Sequence, residues 1–381
     1  MMKKKNFYWA LVSIILLATM MVSCAAPAVP TIEVAAEKTD VEQTAPEDPV
    51  VEDATPVEVE ETSAPKALLI SNRPIGDKGP IDNQIAGLEK CKSELGFEIK
   101  VLESTSPDRF EEDIRAMAKE GYNLIITGFP PVTEAMMNVA RDYPDIKFAG
   151  IYQFGNLQGA LPNLWDTEYQ SQDLTYVLGA MAGKLSTTKK VAYVSGAETA
   201  SSNSGMNGFM QGVAETCPEC SAEFAFVGDY TDLAKAKEIA KAMISNGVDV
   251  FQTAAGQASQ GIVEAAKESG ALVLGDNSDF FDVSPEAYVS WMFTDFGANV
   301  VMACEDYLAG EFQGGQHTYM NMANGGAAFM WDKVDRFIEA NPEKADQVKE
   351  AYLFARDIEK QIIEGKIKVE FNTDTPKSIS K

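Results

Sequence analysis

The sequence predicts an α/β protein built as two parallel-sheet lobes. Short apolar runs alternate with amphipathic stretches of about 10 to 15 residues, the signature of βαβ units. The alternation restarts after residue 170, so the pattern occurs twice. At 381 residues the chain exceeds one ordinary core and suits two lobes with appendages.

Taken in order, 67–71 reads as a buried strand, 83–95 as a helix closed by Gly96, 97–103 as a strand and 110–120 as a helix stopped at Gly121. Strand 124–127, helix 132–143 and strand 147–151 follow. The second round opens with a long helix at 170–185 and a strand at 191–195. Helices at 205–216, 233–246 and 259–269 then alternate with strands at 223–227, 250–253 and 272–275. Strands after Tyr288 and helices at 299–308 and 343–364 complete and brace the lobes. Residues 66–165 thus form lobe 1, completed by part of 293–381, and 166–290 form lobe 2. Residues 291–381 supply return segments and C-terminal helices, with crossings near 152–168, 276–290 and 310–325. Ligands of open α/β sheets sit outside the carboxyl ends of the strands. Two such sheets facing each other make a cleft that a hinge can close. The loops at 71–81, 127–131, 152–165, 195–205, 253–260 and 276–282 are where ligand chemistry belongs.

Ahead of the folded body, Lys3, Lys4 and Lys5 precede an apolar run at 7–22 and then Ser23-Cys24. The run is short for a spanning helix, which needs about 20 residues, and no stop-transfer cluster follows. Residues 1–23 read as a signal peptide. Ser23-Cys24 resembles a lipobox, so Cys24 is the expected lipidation site, anchoring the chain to the membrane on its extracytoplasmic face. Residues 24–65 hold eleven acids, one Lys, six Pro and no aromatic residue. Such a stretch cannot bury enough apolar surface to offset its ordering entropy, and it reads as a disordered tether.

Acidic residues number 57 against 32 basic, a formal charge of −25. That surface repels phosphate backbones, so nucleic acid is excluded as a partner. Little points to catalysis. His317 is the sole histidine and sits in a Gly/Gln context that reads as a solvated loop. No G-x-S-x-G or Walker A motif occurs. Cys217-Pro-Glu-Cys220 admits a local disulfide, buried thiols, or redox or metal chemistry; outside the cytoplasm the disulfide is favoured. Cys91 and Cys304 read as separate small core residues. The expectation is a binding protein with no catalytic residue, no metal and no cofactor.

Several collinear segments between 66 and 330 resemble the basic membrane protein (BMP) family, the solute-binding lipoproteins of ABC importers. They include Gly76-Asp77-Lys78-Gly79 through Ala86-Gly87-Leu88, Ala140 with Tyr143-Pro144-Asp145-Ile146-Lys147-Phe148, and Leu178-Gly179-Ala180-Met181-Ala182-Gly183. Further on come Lys190-Val191, Gly208-Phe209-Met210-Gln211-Gly212, Ala240 to Ile244, Gly247-Val248-Asp249-Val250 and Glu264-Ala265-Ala266-Lys267. The resemblance implies a type I periplasmic-binding-protein-like fold, an α/β architecture of two doubly wound parallel-sheet lobes joined by a hinge. It further implies a monomer that binds a small-molecule solute, such as a nucleoside, and docks on an ABC permease.

The family's nucleoside pattern has Phe-Asn where this chain has Pro80-Ile81, an Asp where it has Tyr152, and an acid where Asn277 follows Gly275-Asp276. A family Lys is also missing, since no Lys or Arg lies between Lys267 and Lys333. The resemblance therefore implies a neutral to acidic cleft for an uncharged or cationic ring-bearing solute. Tyr152, Phe154, Trp165 and Trp291 are the candidate stacking surfaces. Asn203, Gln257 and Asn277 are the candidate hydrogen-bonders, with Asp77, Pro80, Ile81, Gly256 and Asp276 beside them. A sugar-like solute, or a sensor that signals to a membrane receptor, is the alternative reading.

Overall fold

The computed structural model describes residues 64–77, 79–153 and 157–381. The leader, Cys24, nearly all of the tether, Lys78 and Phe154 lie outside the described residues.

The first lobe begins with β1 (Lys66–Ser71), α1 (Pro80–Leu95), β2 (Glu98–Glu103) and α2 (Phe110–Lys119). It continues with β3 (Leu124–Gly128), α3 (Thr133–Asp142), β4 (Lys147–Ile151) and β5 (Leu164–Tyr169). Side chains alternate across a strand, so Ala67 and Leu69 pack with α1 while Leu68 and Ile70 pack with α2 and α3. Being covered on both faces, these strands read as continuous apolar runs.

The second lobe repeats the plan with α4 (Ser171–Leu185), β6 (Lys190–Ser195), α5 (Ala200–Thr216), β7 (Ser221–Phe226) and α6 (Leu233–Ser245). Next come β8 (Val250–Ala254), α7 (Ser259–Ser269), β9 (Leu272–Asp276) and β10 (Tyr288–Thr294). The chain then returns to lobe 1 with α8 (Phe296–Ala309) and β11 (His317–Met320), and ends in lobe 2 with β12 (Ala327–Phe329), α9 (Val334–Ala340) and α10 (Ala345–Ile363).

The sheet orders are β11-β5-β4-β3-β1-β2 and β12-β10-β9-β8-β6-β7, parallel except for the β10–β12 pair. Setting aside the returned edge strands, both sheets run 2-1-3-4-5 in their own numbering. Each therefore reverses its winding at the same place, between β1 and β3 and between β6 and β8, where a crevice opens at the strand ends.

Three connections join the lobes: β5 to α4, β10 to α8, and β11 to β12. They are tied together, since Gln170 N donates to Met320 O (3.0 Å), Asp295 N to Gly326 O (3.1 Å) and Asn321 Nδ2 to Gln170 Oε1 (2.8 Å). The first two crossings differ from the sequence reading of 152–168 and 276–290: the chain crosses after Tyr169 and after Thr294. The reason is β5, which the sequence places in a loop. Its Asp166, Thr167 and Glu168 are buried, masking the apolar pattern of a core strand. Asp166 is paired with His317 on the neighbouring strand, Oδ2 to Nδ1 2.5 Å. His317 is accordingly a buried strand residue, its side chain 1% exposed, and not a solvated loop residue.

One cysteine pair also departs from expectation. Cys91 on α1 and Cys304 on α8 are joined by a disulfide, their Cα atoms 6.1 Å apart. The two helices touch closely because Gly87 and Gly297 face each other; a Cβ on Gly87 would overlap the Gly297 carbonyl. The disulfide thus staples the returning helix α8 to lobe 1. A second disulfide links Cys217 and Cys220 just after α5.

Candidate functional site

A cleft of about 840 Å³ opens where the carboxyl ends of the two sheets meet. Its walls come from the segments after β1, β3 and β4 in lobe 1, and from those after β6, β7, β8 and β9 in lobe 2. The volume falls within the range of small-molecule sites, about 300–1,000 Å³.

Of the residues singled out from the sequence, Asp77, Pro80, Tyr152, Gly256, Gln257, Asp276 and Asn277 line this cleft. Asp77 accepts from the backbone N–H groups of Gly79 (2.8 Å), Ile81 (3.1 Å) and Asp82 (3.2 Å), so its carboxylate caps the start of α1 at the cleft edge. Tyr152 stands in the left-handed region (φ 59°), which a bulky residue adopts only under constraint. The constraint is visible: its N–H donates to Thr167 Oγ1 (3.1 Å) and its hydroxyl bonds Ser201 on α5, across the cleft.

Asp276 ends β9, and burial pushes its carboxyl up to about 7, against the lesser pull of a hydrogen bond from Asn277. Asn277 sits at φ 53°, where Asn is tolerated. Its side chain spans two partners, Nδ2 donating to Asp276 and Oδ1 accepting from Thr294 N at the hinge (2.7 Å).

The other candidates lie elsewhere. Trp165 is 1% exposed and packs in the core between the first sheet and α1 and α8, its Nε1 donating to Thr318 Oγ1 (3.0 Å). Trp291 is 6% exposed in the core beneath α6 and α7. Strand register turns both rings away from the cleft. Ile81 is buried in the first turn of α1. Asn203 uses its amide to hold the C-terminal segment, donating to Thr373 O (3.0 Å); Asn207 and Gln211, one and two turns on, do the same for Asn372 O and Glu370 O.

Several cleft residues escaped the sequence reading. Phe129 follows β3 at φ 69° and packs edge-on to Tyr152, ring centroids 5.6 Å apart. Tyr230 projects from lobe 2, and Ser201 and Ser202 occupy the first turn of α5, whose N-cap is Thr199. Most consequential is Arg73, half-buried after β1, with Cζ 3.7 Å from the Phe129 ring centroid and 5.8 Å from that of Tyr230. With Asp77 and Asp276 the cleft's described charges sum to zero or −1, in keeping with a neutral to acidic cleft, but the sequence reading did not anticipate that one of them is a guanidinium. The only signal for it in the sequence is that Arg73 and Lys78 are the sole cations in the six strand-end loops. Among the described residues no cluster of His, Cys, Asp or Glu has metal-binding geometry.

Comparison with known proteins gives a consistent neighbourhood. Residues 64–373 match the family described as Bmp, ABC transporter substrate-binding protein PnrA-like. The chain is similar to basic membrane protein A1 of Borrelia garinii subsp. bavariensis, 26% identical over 274 residues, or 71% of this chain and 81% of that protein. It is also similar to a purine-binding protein of Brucella abortus, 24% identical over 237 residues, 61% of this chain and 64% of that one. Among solved structures, an ABC transporter solute-binding protein from Aeropyrum pernix K1 shares the fold with a TM-score of 0.69 at 20% identity, covering 81% of this chain and 94% of that one. The architecture is that of type I periplasmic-binding-protein-like solute-binding proteins.

Proposed function

The chain belongs to the Bmp family of PnrA-like ABC transporter substrate-binding proteins, and from that premise we propose that its cleft captures a small neutral solute of the nucleoside class and presents it to a membrane permease. The observation that supports this most is the make-up of the cleft: about 840 Å³, walled by the rings of Phe129, Tyr152 and Tyr230, with an acid at its floor. That is a site for a planar ring on one side and hydroxyls on the other.

In this reading the solute's ring rests against Tyr152, and Asp276, steadied by Asn277, accepts hydrogen bonds from its hydroxyls. Gln257 and the first-turn serines of α5 complete the polar contacts from lobe 2, and Gly256 lets backbone approach the solute. Asp77 and Pro80 shape the rim from lobe 1. Closure about the three hinge connections draws on the higher affinity of the closed form. The protein works as a monomer, held outside the cytoplasm by acylated Cys24, and releases its solute unchanged.

Titration calorimetry with inosine, guanosine, adenosine and uridine tests this. At least one binds one-to-one with a micromolar or tighter Kd; no heat from any of the four contradicts the nucleoside reading. For the anchor, Cys24→Ala should move the protein from the membrane fraction to the soluble one.

A further inference from the structure

We propose that Arg73 sets the solute specificity of the cleft, presenting paired N–H donors to a ligand edge with two adjacent acceptors, and so selects 6-oxopurine nucleosides over adenosine. This rests on the nucleoside-class reading above.

The position of Arg73 is fixed from both ends. Ser71 Oγ donates to its carbonyl (2.6 Å) and accepts from its N–H (3.4 Å), and Pro74 restricts its backbone to extended conformations. At the far end the guanidinium lies over Phe129, with Tyr230 across the cleft. Phe129 is itself held where a phenylalanine rarely sits, its N–H bonded to Ile151 O (3.0 Å). With a ring against the guanidinium's π-face, its in-plane N–H donors remain for a partner.

The cleft's own carboxylates do not take that role. Asp77 turns its carboxylate to three backbone N–H groups and Asp276 accepts from Asn277, and neither bonds the guanidinium. Among the described residues, no ion pair or hydrogen bond engages the Arg73 guanidinium. A half-buried cation with an unmet planar fork is matched by two acceptors side by side in one plane. Purines carry that pair at O6 and N7 when the 6-substituent is oxo. Adenine instead offers a donor at N6, which opposes an N–H of the guanidinium. Lysine carries the charge without the fork.

The test is calorimetric titration of the full chain and its R73K and R73Q variants with guanosine, inosine and adenosine. For the wild type, guanosine and inosine bind about tenfold or more tighter than adenosine, the discrimination expected of one bidentate pair. In R73Q the gap closes to about threefold or less, and R73K, keeping only the charge, loses most of it. Equal or tighter adenosine binding in the wild type overturns the proposal, as does a full gap in R73Q. Melting curves identify which variants are folded; if R73Q is not, R73K carries the test, and a full gap in folded R73K overturns the proposal. Silence from all three and from uridine sinks the nucleoside reading itself, whereas binding of uridine alone, or purine binding without a gap, sinks only the role of Arg73.

Discussion

Replacing Asp276 with Asn should abolish a pH dependence of binding whose midpoint lies near neutrality. Burial at the end of β9 pushes this carboxyl from 3.8 up to about 7. Without solute, then, about half of the molecules carry a neutral acid at pH 7. A solute whose hydroxyls donate to Asp276 favours the ionised form, so binding expels the proton. Affinity should be flat above pH 8 and weaken about tenfold per unit well below pH 7, reaching roughly a hundredfold loss at pH 5. Calorimetry in two buffers of different ionisation enthalpy at pH 6 should show about 0.9 proton released per solute bound. The Asn variant should bind with a flat profile and release none.

The same shift has a consequence for folding, of fixed sign. The folded pKa lies above the unfolded one, so between 3.8 and about 7 the folded state holds more protons, and stability falls as pH rises through that window. The loss is at most about 4 kcal/mol, and less because the cleft is open to water. Solute-free Asp276→Asn should therefore melt higher than wild type at pH 8, and the difference should vanish near pH 4. An affinity that is constant from pH 5 to 8 in the wild type, or that falls with rising pH, would refute the role assigned to Asp276.

Three further outcomes follow from the packing. Cys91→Ala with Cys304→Ala opens a link between residues 213 apart; the chain-entropy estimate is about 5 kcal/mol, or a melting point lower by about 5–10 °C in calorimetry, and an unchanged Tm contradicts it. Gly212→Ala would place a Cβ against the Tyr176 carbonyl, forcing α5 away from α4. Alanine usually favours a helix over glycine, so the sign is diagnostic: destabilisation of about 1–3 kcal/mol by chemical denaturation supports this contact, and stabilisation denies it. Tyr152→Ala removes a ring of the cleft wall and should weaken nucleoside binding about tenfold or more while leaving the fold intact by circular dichroism; undiminished affinity would place the solute elsewhere.

Legibility in the sequence followed physical lines. Strands β1, β3, β4, β6, β8 and β9 are apolar because helices cover both their faces, and that signal survives without knowledge of neighbours. Strand β5 hid because its run of buried polar residues breaks the apolar pattern, and its Asp166 is satisfied by a partner 151 residues away, His317, which periodicity cannot register. Strands β11 and β12 are too short, at four and three residues, to carry a pattern. The strand-end loops marked the cleft from topology alone. Which side chain faces it was another matter: Trp165 and Trp291 are turned into the core by strand register, and Asn203 by the C-terminal segment it holds. Arg73 was obscured by a net charge of −25, an average that says nothing about one local cation. The Cys91–Cys304 link follows from the chain's return to lobe 1 as α8, a long-range event with no local trace.

A crystal structure grown with guanosine addresses the central claim most directly. The account requires the purine against Tyr152 with its O6 and N7 edge on Arg73, its ribose hydroxyls on Asp276, and the lobes closed around it. A nucleoside bound outside the interlobe cleft, or a cleft still open and solvent-filled at saturating guanosine, would contradict it.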